Sequence, residues 1–249
     1  MSEASHPDRR GFLRRSIAIV PAAAALTASI GSAQSPPASS PSSFPPGGSS
    51  QGSSSPSNYS PVYFNASEWA FVKAAVARLI PSDDTGPGAI EAGVPEFIDR
   101  QMEGAFGHAS TWYTQGPFLE ASPLLGYQGK MVPREVYRAG IAATDARCRK
   151  QYADKGFAQL SAAQQDEVLK GLEAGSFALE GVGATDFFGY LLQNTKEGYF
   201  SDPIHGGNKN AEAWKMIGFP GARADFADWV DKPGARYNLP PVSIAGPQG

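Results

Sequence analysis

Asp83, Asp84, Asp202 and His205 are the residues of this chain whose types suit acid–base chemistry, carboxylates taking up a proton and an imidazole relaying it near neutrality. That work requires convergence in one pocket. Asp83 and Asp84 lie between Pro81 and Thr85-Gly86-Pro87, where adjacent side chains on a turn diverge and Asp favours bonds to nearby backbone. His108, His205 and Asp202 could supply two imidazoles and a carboxylate to a metal, but nothing in their spacing places them together. His205 follows Pro203-Ile204 and precedes two glycines, which reads as an ordered loop contact.

Redox chemistry has even less to work with. The nearest approach to a dinucleotide fingerprint is Gly181-Val182-Gly183-Ala184-Thr185-Asp186, which lacks the third glycine and follows no strand. A turn and helix cap is the better reading. Iron–sulfur clusters take several thiolates and c-type haem needs C-x-x-C-H, whereas Cys148 is the single cysteine. It falls on the apolar side of a helical pattern, as a small core residue would. No H-E-x-x-H occurs.

The elements that must position these groups read as helices. Asn65 can cap a first helix with Glu68 completing a capping box, Phe64 and Trp69 in the staple positions, and Pro81 as the stop. Trp69, Val72, Val76, Leu79 and Ile80 are expected on its inner face. Pro95 opens a second helix that ends at Gly104. Gly104 to Val132 has no period and carries Phe106, Trp112, Tyr113, Phe118 and Tyr127. A long helix from Pro133 to about Tyr152 buries Tyr137, Ile141, Thr144, Cys148 and Tyr152. Ser161 and Gln164 box the start of another, with Gly175 just past its end. Thr185 is expected to cap one more through Phe187, Phe188, Leu191 and Leu192. Patterning fades after Glu197, with short helical pieces around Trp214 and Asp225–Val230. No alternating run reaches strand length. The fold class is mainly α: a single irregular helical domain with long ordered loops.

Two segments precede that domain. Asp8-Arg9-Arg10-Gly11-Phe12-Leu13 followed by an Ala-rich stretch and Gly31-Ser32-Ala33 forms a twin-arginine signal over residues 1–33, with Arg9, Arg10, Phe12 and Leu13 at its heart. Cleavage is expected after Ala33; Pro21 and the short apolar run argue against a spanning anchor. Residues 34–60 are almost entirely Ser, Pro and Gly, too polar to offset chain entropy, and are expected to be a disordered tether ahead of a domain over 61–249. Losing the leader removes four Arg and two acids, leaving 17 basic and 22 acidic residues. A net charge of −5 provides no field for nucleic acid.

Folded export ordinarily serves chains that load a cofactor first, yet no cofactor motif follows this leader. The contradiction is resolved if the chain carries a partner. Long irregular stretches rich in aromatics suit an interface. Trp112, Tyr113, Phe118, Tyr199, Phe200, His205, Trp214 and Phe219 are the candidate interface residues. The basic set Arg134, Arg138, Arg147, Arg149 and Lys150 reads as a solvated face, or as one that meets an acidic patch.

Three stretches carry a resemblance. They are Leu79-Ile80-Pro81-Ser82-Asp83-Asp84-Thr85-Gly86-Pro87-Gly88-Ala89 with Glu91 to Asp99, Thr195 to Asn208 containing Tyr199-Phe200-Ser201-Asp202-Pro203-Ile204-His205-Gly206-Gly207, and Trp214-Lys215-Met216-Ile217-Gly218-Phe219-Pro220-Gly221-Ala222. With the leader, the chain resembles the gluconate 2-dehydrogenase subunit 3 family, the small (gamma) subunits of membrane-associated flavoprotein sugar dehydrogenases. Its tether is longer than the family needs.

The resemblance implies a non-catalytic subunit that holds no cofactor. Its partner would be a large glucose–methanol–choline-type (GMC) flavoprotein carrying FAD and, in some members, an iron–sulfur cluster, often with a multihaem cytochrome c subunit. The large subunit would cross the membrane through the twin-arginine translocase bound to the small one, and the complex would sit on the periplasmic side of the cytoplasmic membrane. Two alternatives are a stand-alone acid–base enzyme built on Asp83, Asp84, Asp202 or His205, and a periplasmic ligand-binding module with a deep pocket.

Overall fold

The computed structural model describes residues 59–246 except 114, 120 and 121. The signal residues Arg9, Arg10, Phe12 and Leu13, the cleavage site at Ala33 and nearly all of the tether lie outside the described residues. Tyr59, at the tether's end, is anchored to the folded part through Asp99.

Among the described residues six α-helices follow in order: α1 (Ala66–Leu79), α2 (Val94–Glu103), α3 (Pro133–Gln151), α4 (Ala162–Glu173), α5 (Ala184–Phe200) and α6 (Glu212–Ile217). Single 3-10 turns cover Pro123–Leu125, Phe157–Gln159, Pro203–His205 and Lys209–Ala211, and a longer one covers Ala224–Trp229. Among the described residues there is no strand, only isolated bridges such as Gly221 with Val242. Nor is any described helix long and apolar enough to cross a membrane. The mainly α expectation holds.

Local signals set the helix ends where expected. Asn65 Oδ1 accepts from the Ser67 and Glu68 amides while Glu68 Oε2 accepts from the Asn65 amide, closing the capping box on α1. Ser161 and Gln164 do the same for α4, and Gly175 past its end has the left-handed φ of +70° that glycine tolerates best. The inner face of α1 is rotated from the expected one: Phe71, Val72, Ala75 and Val76 are buried, while Trp69, Leu79 and Ile80 flank them half-buried. Trp69 instead meets Tyr59, ring centres 5.9 Å apart, and Phe64 meets Tyr137 at 5.9 Å.

α5 is the central element and packs against α1, α2, α3, α4 and α6. Two of its contacts rest on glycine. A Cβ on Gly198 would come within 2.7 Å of the Phe97 ring on α2, and one on Gly140 of α3 would overlap the Phe187 ring of α5. Aromatics fill the space between helices, with Phe71 4.6 Å from Phe157 and 6.0 Å from Phe187, and Tyr137 6.0 Å from Phe187. Each such ring, fully buried, contributes roughly 2–3 kcal/mol.

Two expectations about α5 are corrected. Gly183, not Thr185, is the N-cap: the Phe187 amide reaches the Gly183 carbonyl at 3.0 Å, so the first turn closes ahead of Thr185. The helix also runs past Glu197 to Phe200, placing Tyr199 and Phe200 on its last turn. Gly198 is a poor helix former, but close packing against Phe97 overrides that preference.

Candidate partner-binding face

Two of the acid–base candidates, Asp83 and Asp202, serve as acceptors for backbone amides. Asp83 Oδ1 accepts from the Thr85 amide at 2.8 Å and the Gly86 amide at 3.3 Å, and these bonds hold its carboxyl below the ordinary value. Asp202 accepts from the Ile204 amide at 3.1 Å, the Ser243 hydroxyl at 2.6 Å and the Ile244 amide at 2.8 Å. Desolvation acts to raise its pKa, but those hydrogen bonds outweigh it and the net direction is down. Asp202 therefore latches the C-terminal segment onto the end of α5. His205 is exposed on the 3-10 turn beside it, and His108 lies against the Arg134 guanidinium. Among the described residues no three His, Cys, Asp or Glu side chains gather as metal ligands. Cys148 is buried in the core, and burial, aided by Asp145, pushes its thiol up to about 12.

The basic residues of α3 are not a free patch. Arg134 and Arg138 stack on the Tyr63 ring at 4.7 and 4.5 Å, and Arg138 also pairs with the buried Glu68 at 3.1 Å. Arg147 lies over Phe177 at 4.3 Å and donates to the Ala178 carbonyl at 2.8 Å. Arg149 and Lys150 face Asp145 and Glu180.

What the structure assembles is a surface at the C-terminal end of α5. The three sequence stretches that carry the resemblance meet there. Tyr199 donates to the Pro87 carbonyl at 2.6 Å, joining the second stretch to the first. Lys209, just after the second, pairs with the buried Glu96 at 2.7 Å, and its amide donates to the Ala92 carbonyl at 3.1 Å. Trp214 of α6 donates from Nε1 to the Phe200 carbonyl at 2.8 Å, bringing in the third. Met216 Sδ lies so close to Gly86 that a Cβ there would be 2.6 Å from it.

Asn208 sits at the centre of the join. It is fully buried, donates to the Ser201 carbonyl at 2.9 Å and accepts from the Ala213 amide at 3.0 Å. Its φ of 43° is left-handed, as are those of Asn210 (57°) and Ala211 (53°). Non-glycine residues in that region carry about 1 kcal/mol of strain or more each and persist only where surrounding contacts impose them.

The candidate interface residues divide into two groups. Tyr199 and Trp214 are enclosed by this chain, at 4% and 6% exposure, and support the surface from beneath. Phe200, His205 and Phe219 stand exposed at the end of α5 and beyond. Trp112, Tyr113 and Phe118 lie elsewhere, exposed in the long loop before α3. Trp112 and Phe118, with Leu119 and Tyr127, form one wall of an open groove of about 1050 Å³ whose other wall is Asp186, Tyr190 and Gln193 of α5.

Sequence reasoning missed the aliphatic part of the surface, Ile204, Met216, Ile217 and Ile244, and two buried acids of α2: Glu96, which pairs with Lys209, and Asp99, which holds the segment before α1. In α6 Ala213 and Trp214 are buried while Met216 and Ile217 lie in solvent, although the helical repeat puts Ile217 on the side of Ala213. Asp99 likewise had no signal in the sequence. Its carboxylate accepts from Tyr59 Oη and the Val62 amide at 2.7 Å, the Phe64 amide at 2.9 Å and the Tyr63 amide at 3.1 Å, partners 35 to 40 residues away.

A family model described as gluconate 2-dehydrogenase subunit 3 matches residues 66–221. Comparison with curated proteins and with solved structures finds no match. The matched region contains almost every residue of the three converging stretches and covers more than half of the sequence, and on that ground this chain belongs to the gluconate 2-dehydrogenase subunit 3 family.

Proposed function

We propose that this subunit of a dehydrogenase complex escorts and stabilises a large GMC-type flavoprotein and contributes no catalytic residue of its own. The flavoprotein would hold FAD and oxidise a sugar, sugar acid or polyol. The pair would cross the cytoplasmic membrane folded, through the twin-arginine translocase recruited by Arg9, Arg10, Phe12 and Leu13, and work on the periplasmic side. A multihaem cytochrome c subunit would take the electrons.

The observation that carries this reading is the convergence of the three stretches on one surface that leaves apolar side chains in solvent. Family membership supplies the context of a multi-subunit dehydrogenase. Supporting it further, the acids that looked suited to catalysis serve as turn and latch acceptors: Asp83 holds a loop and Asp202 holds the C-terminal segment.

Escort through a membrane sets a lifetime. If the pair must survive ~100 s, its dissociation rate is about 10⁻² s⁻¹; with association near 10⁶ M⁻¹s⁻¹, Kd is roughly 10 nM, or about −11 kcal/mol. An interface of that permanence buries on the order of 2,000 Å² or more. The test is co-expression. The large subunit produced with and without this chain is assayed for periplasmic dehydrogenase activity; the expected result is activity only with the chain, and equal activity in both cases refutes the escort role.

A further inference from the structure

We infer that the flavoprotein subunit is gripped at the C-terminal end of α5, by Phe200, Ile204, Met216, Ile217, Phe219 and Ile244, and not at the loop and groove beside Trp112. This rests on the proposed role and adds the place where that role is performed.

Area is the first argument. These six side chains are each between 38% and 72% exposed. At ~150–250 Å² for a large apolar side chain, they offer on the order of 500 Å². One side of an interface of the required size is about 1,000 Å², of which roughly 60%, or about 600 Å², is apolar. The six therefore supply most of the apolar share that this chain must bring to the complex. Met216 lies beside Gly86, Trp214 contacts Phe200 and Phe219, and the Asp202 bonds seat Ile204 and Ile244 just past the end of α5.

Pre-organisation is the second. The left-handed residues Asn208, Asn210 and Ala211 are held by Asn208's two hydrogen bonds and by the Lys209–Glu96 pair. This strained turn starts α6 where it does, and α6 then presents Met216 and Ile217 to solvent. Strain maintained so that apolar side chains stay exposed has no benefit for the isolated chain. It does lower the ordering cost of binding, because the patch is already in shape.

The rival surface lacks that property. Tyr113, Leu119, Leu124 and Leu125 are strongly exposed, but among the described residues from 113 to 128 the side-chain hydrogen bonds are local: Tyr113 to Gln115, the Leu124 amide to Ser122 and Gln128 to the Leu125 carbonyl. Such a loop would have to be ordered at the partner's expense.

The test co-expresses the full chain with a tagged large subunit and measures how much chain co-purifies. The face variant is Ile204→Glu with Ile217→Glu; the loop variant is Leu119→Glu with Leu124→Glu. Thermal melting of each variant chain checks its fold. The expected result is a loss of at least tenfold for the face variant and less than twofold for the loop variant. Hydrogen exchange on the wild-type complex gives an independent reading that requires no variant: amides from Phe200 to Phe219 slow at least tenfold on binding while those from Tyr113 to Leu125 do not. Wild-type recovery of the face variant, or protection confined to the loop, overturns the inference. So does a wild-type chain that dimerises alone and becomes monomeric in the face variant, since a second copy would then occupy the patch. If the wild-type chain itself neither co-purifies with the large subunit nor supports its activity, the escort reading fails instead.

Discussion

The Tyr199 hydroxyl donates to the carbonyl oxygen of Pro87 at 2.6 Å, across 112 residues of sequence. That one bond ties the last turn of α5 to the loop between α1 and α2. Without it, the Pro87 carbonyl would lose its partner at the base of the proposed docking surface. Tyr199→Phe keeps the ring and removes the bond, which is expected to cost about 1–2 kcal/mol. Thermal melting measures the loss, and hydrogen exchange should quicken between Ser82 and Ala92. An unchanged melting temperature would show the bond to be unimportant.

Asp99 carries more. Its carboxylate is buried and satisfies the amides of Val62, Tyr63 and Phe64 as well as the Tyr59 hydroxyl. Asp99→Ala leaves three backbone donors without their acceptor and should destabilise the domain by about 3 kcal/mol or more. Tyr59→Phe removes one donor only, and about 1 kcal/mol is expected. Chemical denaturation of the two variants should therefore rank them clearly, and similar midpoints would contradict this account.

The Asp202 latch should depend on pH. Its folded-state pKa lies below the unfolded one, so its contribution is complete above the unfolded value of about 3.9 and disappears as pH falls through the lower, folded value. Between pH 5 and 8 the attachment of Ser243 and Ile244 should be constant. Below about pH 4 the C-terminal segment should loosen, seen as faster proteolysis after Gly221 while the helical core keeps its circular dichroism. Asp202→Asn should be loosened already at neutral pH, and a variant as resistant as wild type there would argue against the latch.

Cys148 should be inert. With the thiol pushed up to about 12 by burial, almost no thiolate exists at neutral pH, and the side chain has no exposure. Ellman's reagent is expected to label the chain only after denaturation. Fast labelling of the native protein would mean that α3 opens readily or that the pocket around Cys148 is accessible.

Much of the fold was legible in the sequence because it is encoded locally. Asn65 with Glu68 and Ser161 with Gln164 close bonds over three residues, and the face of α3 from Tyr137 to Cys148 follows the helical repeat. Where the reading missed, distant contacts had outweighed local preference. Gly198 should have weakened α5, yet the helix continues to Phe200 because Phe97 needs the space that glycine leaves. Of the α3 arginines read as solvated, Arg138 and Arg149 are exposed, yet Tyr63 and Phe177 took the planar faces of three of the set.

By itself, then, the sequence determined a helical domain, its caps at Asn65 and Ser161, the poverty of redox ligands and the three stretches that resemble a subunit family. Tertiary structure decided which aromatics are surface and which are support, burying Tyr199 and Trp214 while leaving Phe200 and Phe219 in solvent. It also decided that the stretches around Pro87, Asn208 and Trp214 share one face. The reason lies in the range of the interactions. Caps and helical periodicity act within about a turn, whereas burial depends on which elements, often a hundred residues apart, pack together.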